Sequence, residues 1–116
     1  MDYKNMEEII FTIIANAGSA KSLIYEAIDF AKNGDFEKAN EKLDESNEFL
    51  LKAHEIQTEI ITDEVNGNHM EVTMLFVHAQ DHISAAIELK TLAEIIINLY
   101  TRINKRVDIM LGHGLF

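Results

Sequence analysis

Two histidines and an aspartate lie close together in the segment VHAQDH, Val77 to His82. A spacing of four residues places His78 and His82 on one face of a helix, one turn apart, with Asp81 about 60° to the side. Imidazoles and carboxylates bind metals, move protons and accept phosphoryl groups. The surrounding run from Leu75 to Ile87 otherwise has the composition of a buried helix side, so these polar groups need a compensating partner if they are buried.

Three interpretations of this cluster follow from its spacing. In the first, the two histidines and the aspartate are ordinary polar residues of a helix, with one histidine hydrogen-bonded in the core. In the second, His-x-x-Asp-His resembles the two-histidine helix of zinc peptidases, and the protein is a helical zinc-dependent hydrolase using His78 and His82. Such a site needs a third ligand, for which His54, His69 and Glu71 are generic candidates. In the third, His78 is a nucleophile toward phosphorus and His82 hydrogen-bonds a phosphoryl oxygen.

The elements that position this cluster are long helices. The sequence contains no proline, and its clear breaks are NGD at Asn33 to Asp35 and NGN at Asn66 to Asn68. Apolar residues recur at helical spacing between these breaks, which predicts helices over about 4–32, 36–64 and 69–105. Short connections between long helices favour antiparallel neighbours, so we expect an all-α, up-down-up three-helix bundle.

The two breaks also predict how the helices begin and end. The glycine of each turn can take the left-handed conformation that closes the preceding helix. Asp35 or Asn68 can then cap the next helix, and Asn68 with Glu71 resembles a capping box. Gly18 interrupts the first helix, and we expect it to permit close approach of a neighbouring helix.

The third helix is apolar over more than half of its circumference. Two partner helices cannot cover so wide a surface, so part of it should bury against other copies of the chain. If copies meet along this helix, one stripe should line or approach their axis; its members follow three- and four-residue spacing: Met74, Asp81, Ala85, Leu92 and Leu99.

Composition limits the classes of function. The 116 residues suit a single domain, 1–116, and 20 acidic against 10 basic residues give a formal charge of −10. That charge repels phosphate backbones and anionic lipid, so neither nucleic acid nor direct membrane insertion is expected. With no cysteine, no basic leader and no apolar run long enough to span a bilayer, a cytoplasmic location is the expectation.

Four segments in register carry a resemblance to a known family. VHAQDH resembles the signature of the lactose/cellobiose-type enzyme IIA of the bacterial phosphoenolpyruvate-dependent sugar phosphotransferase system. Three further segments are similar to that family's in the same order and at the expected separations: NAGSAKSLIYEA (16–27), GDFEKA (34–39) and AHEIQT (53–58). The likeness covers nearly the whole chain.

This resemblance implies a phosphoryl carrier. A histidine-containing phosphocarrier protein hands its phosphoryl group to the IIA histidine, which falls on His78, and the group passes on to a cysteine of the IIB component. His82 would orient the phosphoryl oxygens. Members of the family are homotrimers, and their axial metal-binding aspartate falls on Asp81, which implies one divalent cation per trimer, magnesium being the natural choice for oxygen ligands.

The remaining polar residues of the region receive lesser roles. A histidine that accepts a phosphoryl group must be neutral, and the carbonyl of Met74 is a candidate to fix its tautomer. Gln80 points away from the histidine face and is assigned no catalytic role. Single histidines elsewhere are expected to be surface or capping features, namely His54, His69 and His113. The terminal GHGLF departs from the usual ending of the family and is expected to be frayed.

The identity of the sugar rests on one residue of the motif. VHAQDH is closer to the cellobiose and chitobiose branch than to the lactose branch, in which MHGQDH, with glycine at the position of Ala79, is expected. We therefore expect a β-linked disaccharide such as cellobiose or chitobiose rather than lactose.

Overall fold

The structure, a computed structural model, describes residues 5–112, and within that range it consists of three helices and their connections. Helix α1 spans Met6–Lys32, α2 spans Phe36–Val65 and α3 spans Met74–Met110. The bundle is elongated, 63 × 22 × 20 Å. The predicted up-down-up bundle of three helices is confirmed, and residues 1–4 and 113–116, which include His113, lie outside the described residues.

The two glycine turns form as the sequence predicts. Gly34 and Gly67 have φ of 82° and 87°, the left-handed conformation that a Cβ would strain. Asp35 caps α2, because its side chain accepts a hydrogen bond from the backbone N–H of Lys38 at 3.2 Å.

The predicted start of α3 is wrong by five residues. Thr73, not Asn68, is the cap, and its hydroxyl oxygen accepts from the backbone N–H of Phe76 at 3.1 Å. Asn68 instead donates its backbone N–H to the carbonyl of Asp63 at 2.8 Å, which completes the turn that closes α2. The capping box of Asn68 and Glu71 is therefore absent.

The end of α3 also lies beyond the predicted Lys105. The helix continues to Met110 because no residue that breaks a helix occurs before Gly112, which has a φ of 76°. The added residues include the basic Arg106 and three exposed apolar side chains, those of Val107, Ile109 and Met110.

Helix α1 is the central element of the core. Its buried side carries alanines that let the neighbouring helices approach closely, and its isoleucines fill the space between them. One core cluster joins α1 to the N-terminal half of α3 through Ile13, Ala17, Ala20, Ala79, Ile83 and Ala86. A second, nearer the Gly34 turn, joins Ile24, Ala27, Ala31, Ala39, Leu43, Ala93 and Ile97. Burying one such isoleucine contributes about 1.5–3 kcal/mol.

The expectation for Gly18 is wrong. It is half-buried, and a Cβ built on it meets nothing within 4 Å. The close approach is made instead by Ala17 and Ala20, which are fully buried on the adjacent side of the helix.

The side of α3 turned away from α1 is uncovered. The predicted axial residues, called here the outward stripe, are all exposed: Met74, Asp81, Ala85, Leu92 and Leu99. Met74 is 83% exposed, Leu92 55% and Leu99 53%, which is unusual for so many apolar side chains on one line.

None of the helices in the described part of the chain has a stretch long and apolar enough to cross a lipid bilayer.

Candidate functional site

The histidine pair lies at the boundary between the covered and uncovered sides of α3. At 100° per residue, the buried residues Ala79 and Ile83 lie about 140° to 180° round the helix from the outward stripe. His82 falls about 80° from that stripe and His78 about 40° from it. Accordingly, His82 is half-buried and His78 is exposed. The packing of α1 on α3 thus holds one ring in place and leaves the other accessible.

The two rings contact each other directly. The Nε2 atoms of His78 and His82 are 3.1 Å apart, and the rings meet edge to face, with centroids 4.5 Å apart and an interplanar angle of 83°. Since a hydrogen bond needs one donor and one acceptor, one Nε2 carries a proton and the other presents its lone pair.

The surroundings of His82 keep its ring neutral. Its pKa is lowered by burial first, then by His78 and by the ammonium of Lys21, while Asp81 opposes the shift. Its Nδ1 is shielded from solvent and has no hydrogen-bond partner among residues 5–112. A buried N–H left unpaired is rarer than an unpaired acceptor, so the proton of His82 belongs on Nε2 and the lone pair on Nδ1. His82 then donates to Nε2 of His78.

This arrangement presents a nucleophilic nitrogen. A neutral His78 that accepts a hydrogen bond at Nε2 holds the lone pair that an electrophilic phosphorus requires. No hydrogen bond from His78 to the Met74 carbonyl occurs within residues 5–112, so the suggested tautomer-fixing contact is not made there. The partner that His78 does have is His82.

Gln80 lies on the opposite side of α3, as expected. Its side-chain oxygen accepts a hydrogen bond from Nε2 of Gln57 on α2. This bond links two helices that otherwise make little contact. Gln57 lies in the AHEIQT segment, and the sequence did not predict a role for it. Lys21, in the NAGSAKSLIYEA segment, was missed in the same way, although it acts on His82.

The structure does not assemble the ligands that a zinc hydrolase needs. His54 is exposed beside a groove of about 620 Å³ between α2 and α3. His69 lies before α3, 3.8 Å from Glu64, and Glu71 is exposed in the same connection. Among residues 5–112, no three histidine or carboxylate side chains are grouped closely enough to hold a metal ion. The hydrolase alternative is unsupported.

Asp81 lies beside the histidine pair and faces outward, away from α1. It is exposed on the outward stripe, where a single chain offers one carboxylate. One carboxylate is a poor site for a divalent cation, which takes six or more oxygen ligands. Further copies of the chain around that stripe would add the same carboxylate once per copy.

Comparison with known proteins connects this geometry to a family. The model of the lactose/cellobiose-specific IIA subunits of the phosphotransferase system matches residues 8–101. The lichenan-specific phosphotransferase enzyme IIA component of Bacillus subtilis is 47% identical over 103 residues, which cover 89% of this chain and 94% of that protein. The lactose-specific EIIA component of Staphylococcus epidermidis is 33% identical over 102 residues, covering 88% and 98%.

Solved structures show the same fold. The cellobiose-specific enzyme IIA from Bacillus anthracis superposes with a TM-score of 0.82 at 41% identity, over 84% of this chain and 90% of that one. The IIA component in the complex with HPr of the Escherichia coli N,N'-diacetylchitobiose branch gives a TM-score of 0.74 at 35% identity, over 84% and 95%.

Proposed function

We propose, since this chain belongs to the lactose/cellobiose-specific IIA subunit family of the phosphotransferase system, that it carries its phosphoryl group on Nε2 of His78. The chain is a phosphotransferase component that works through a phosphohistidine. The observation that carries the assignment to His78 is the 3.1 Å contact between the two Nε2 atoms, in which the exposed ring of the pair is His78.

The transfer needs no general base within the chain. The Nε2 lone pair of neutral His78 forms the new P–N bond, while the P–N bond to the donor histidine breaks and its electron pair returns to that donor nitrogen. The Nε2–H of His82 lies where it can leave the His78 nitrogen and donate to a phosphoryl oxygen instead. His78 thus acts as the nucleophile, and His82 acts as a hydrogen-bond donor to a phosphoryl oxygen.

Phosphoryl labelling tests the assignment. Incubation with phosphoenolpyruvate, enzyme I and the phosphocarrier should give acid-labile phosphate on the wild type, none on His78→Ala and a reduced level on His82→Ala. His54→Ala, which removes an exposed histidine of α2, is the matched control and should label fully. Undiminished labelling of His78→Ala would overturn the assignment.

The partners follow from the same chemistry. A relative of this fold is known in complex with HPr, the histidine-containing phosphocarrier, which supports the same donor for this chain. The acceptor is the IIB component of the same permease. Because this chain has a formal charge of −10, both partners should present basic or apolar surfaces to it.

The sugar branch is that of cellobiose or chitobiose rather than lactose. The 47% identity to a lichenan-specific component exceeds the 33% to a lactose-specific one. Ala79 also stands where we expect glycine in the lactose branch. Complementation of strains that lack their own IIA component tests this assignment. We expect the chain to restore growth on cellobiose or chitobiose. Restored growth on lactose, without growth on the other two sugars, would assign the chain to the lactose branch instead.

The proposed assembly is a homotrimer built on the outward stripe. The exposed apolar side chains of Met74, Leu92 and Leu99 supply its contacts, and the three Asp81 carboxylates meet near its axis. Their repulsion would be relieved by one divalent cation, magnesium being suited to carboxylate oxygens. In this proposal the metal has a structural role and takes no part in the transfer.

Sedimentation of three samples tests the assembly. The wild type should be a trimer, treatment with a chelator should loosen it, and Asp81→Leu should hold together without metal because apolar contact replaces repulsion. A monomeric wild type would show that the outward stripe does not join copies of the chain.

A further inference from the structure

Lys21 differs from the other partly buried lysines of the described chain. Lys42 and Lys90 are half-buried and each has a carboxylate partner, Glu26 at 3.6 Å for Lys42 and Glu94 at 3.4 Å for Lys90. Lys21 is also half-buried, yet within residues 5–112 it has no ion pair, hydrogen bond or aromatic contact. A partly desolvated ammonium without a counter-charge carries a cost that an anion placed beside it would remove.

The position of Lys21 on α1 directs it toward the histidine pair. It follows Ala17 by one helical turn and is adjacent to Ala20, two alanines in the core cluster that joins α1 to Ala79 and Ile83 of α3. Its ammonium is close enough to the site to help lower the pKa of His82. The segment of α1 that carries Lys21 therefore packs against the part of α3 that carries the two histidines.

A phosphoryl group on His78 creates a need for such a cation. It brings a charge of about −1.5 to −2 into a chain that already has a formal charge of −10. Asp81, a carboxylate that acts on the neighbouring His82, adds to the repulsion, and neutral His82 offers a donor without a charge. In the unphosphorylated chain, the Lys21 ammonium has no ion-pair partner among the described residues. In the phosphorylated chain, the phosphoryl group supplies the anion.

We propose that the Lys21 ammonium binds an oxygen of the phosphoryl group on His78 and stabilises the phosphorylated form of the chain. Lys21 and His82 then hold the phosphoryl group from α1 and α3, one by charge and the other by an N–H donor. This inference rests on the proposed phosphorylation of His78.

The equilibrium of phosphoryl transfer tests it. The wild type, Lys21→Met, Lys21→Arg and Lys42→Met are equilibrated with phosphorylated phosphocarrier, and the fraction of each that carries label is measured. Loss of a charge-assisted contact should shift the equilibrium constant of Lys21→Met against phosphorylation by about tenfold or more. Lys21→Arg should recover most of the shift, and Lys42→Met, which removes the same charge from another half-buried lysine, should match the wild type.

A phosphorus NMR titration of the phosphorylated chains gives a second readout that a loss of folding would not imitate. The ammonium favours the dianion, so the pKa of the phosphoryl group should be higher in Lys21→Met than in the wild type. Asp81 and His82 are the other titratable groups beside it and are common to all the variants.

The possible failures are distinguishable. If the wild type takes no label, the assignment of His78 fails. If the wild type labels and Lys21→Met has the same equilibrium constant and phosphoryl pKa, the role of Lys21 is overturned. If Lys21→Met and Lys42→Met reduce the equilibrium constant for phosphorylation equally, the role of Lys21 is also overturned, because the effect would then come from net charge alone.

Discussion

Both sides of α3 carry apolar side chains, and the sides differ in what covers them. On the side that packs on α1, Ala79 is 0% exposed and Ile83 is 1% exposed. On the outward stripe, Leu92 and Leu99 are more than half exposed. A single chain therefore covers one side of this helix and leaves the other available to a second molecule.

The histidines lie where these two sides meet, and the difference between the sides explains their environments. The covered side fixes the ring of His82 and removes its Nδ1 from water, which keeps the ring neutral. The uncovered side leaves His78 open to a partner protein. A phosphoryl carrier needs both conditions, because its acceptor nitrogen must be held in position and must also be reached twice, by a donor and by an acceptor.

The largest expected effect comes from the covered side. Ile83→Ala should reduce the free energy of unfolding by about 2–5 kcal/mol, because it leaves a cavity between α1 and α3 beside His82. Leu92→Ala, on the outward stripe, is the matched substitution. In the monomeric chain it should lower the free energy of unfolding by well under half as much as Ile83→Ala. Urea denaturation at low protein concentration measures both, and equal losses would show that the two sides do not differ as described.

The next effect concerns the uncovered side. Leu92→Glu should leave the helical circular dichroism unchanged and shift the sedimentation coefficient toward that of a monomer, since a charge placed in an apolar contact lacks a partner. Asn98→Glu adds the same charge to an exposed position of α3 off the stripe and should leave the assembly intact. If both variants lose the assembly, the added net charge, rather than a contact at the outward stripe, would be the cause of dissociation.

The contrast between the two sides also indicates what the sequence could reveal. Helical periodicity and the glycine turns are local properties, so the three helices and their order could be predicted from the sequence. The start of α3 could not, because Asn68 and Thr73 are both good capping residues and the choice between them depends on how the turn after α2 closes.

The site shows the same division. His78 and His82 share a helix face by spacing alone, so their contact could be predicted. Lys21 acts on His82 from α1, and Gln57 of α2 binds Gln80 on the other side of α3. Such contacts between helices depend on the rotation of each helix in the bundle, which a single sequence does not determine. Gly18 was misassigned for that reason: the rotation of α1 turns Ala17 and Ala20 into the core and leaves Gly18 beside open space.

Gly18 offers a smaller, stabilising test of that rotation. Gly18→Ala should raise the free energy of unfolding by about 0.5–1 kcal/mol, because alanine favours a helix and its Cβ has room. Gly34→Ala is the control and should lower it by about 1–2 kcal/mol, since Gly34 has a φ of 82°. Thermal denaturation of both variants measures these changes. Destabilisation by Gly18→Ala would mean that another chain packs against Gly18.

The smallest expected effect is the pH dependence that His82 confers on stability. Burial lowers its pKa in the folded chain below the unfolded value of about 6.5, so the unfolded chain binds the proton more readily. The stabilisation due to this neutral ring should therefore be complete above about pH 6.5 and be lost as the pH falls through the lowered pKa.

Urea denaturation of the wild type and His82→Gln, at one protein concentration and with a chelator, isolates the contribution of His82 because the other histidines are common to both. Their difference in unfolding free energy should grow as the pH rises toward 6.5 and stay constant above it. A difference that shrinks as the pH rises would mean that His82 gains a proton on folding, and the covered side of α3 would then no longer account for the neutral donor that we assign to it.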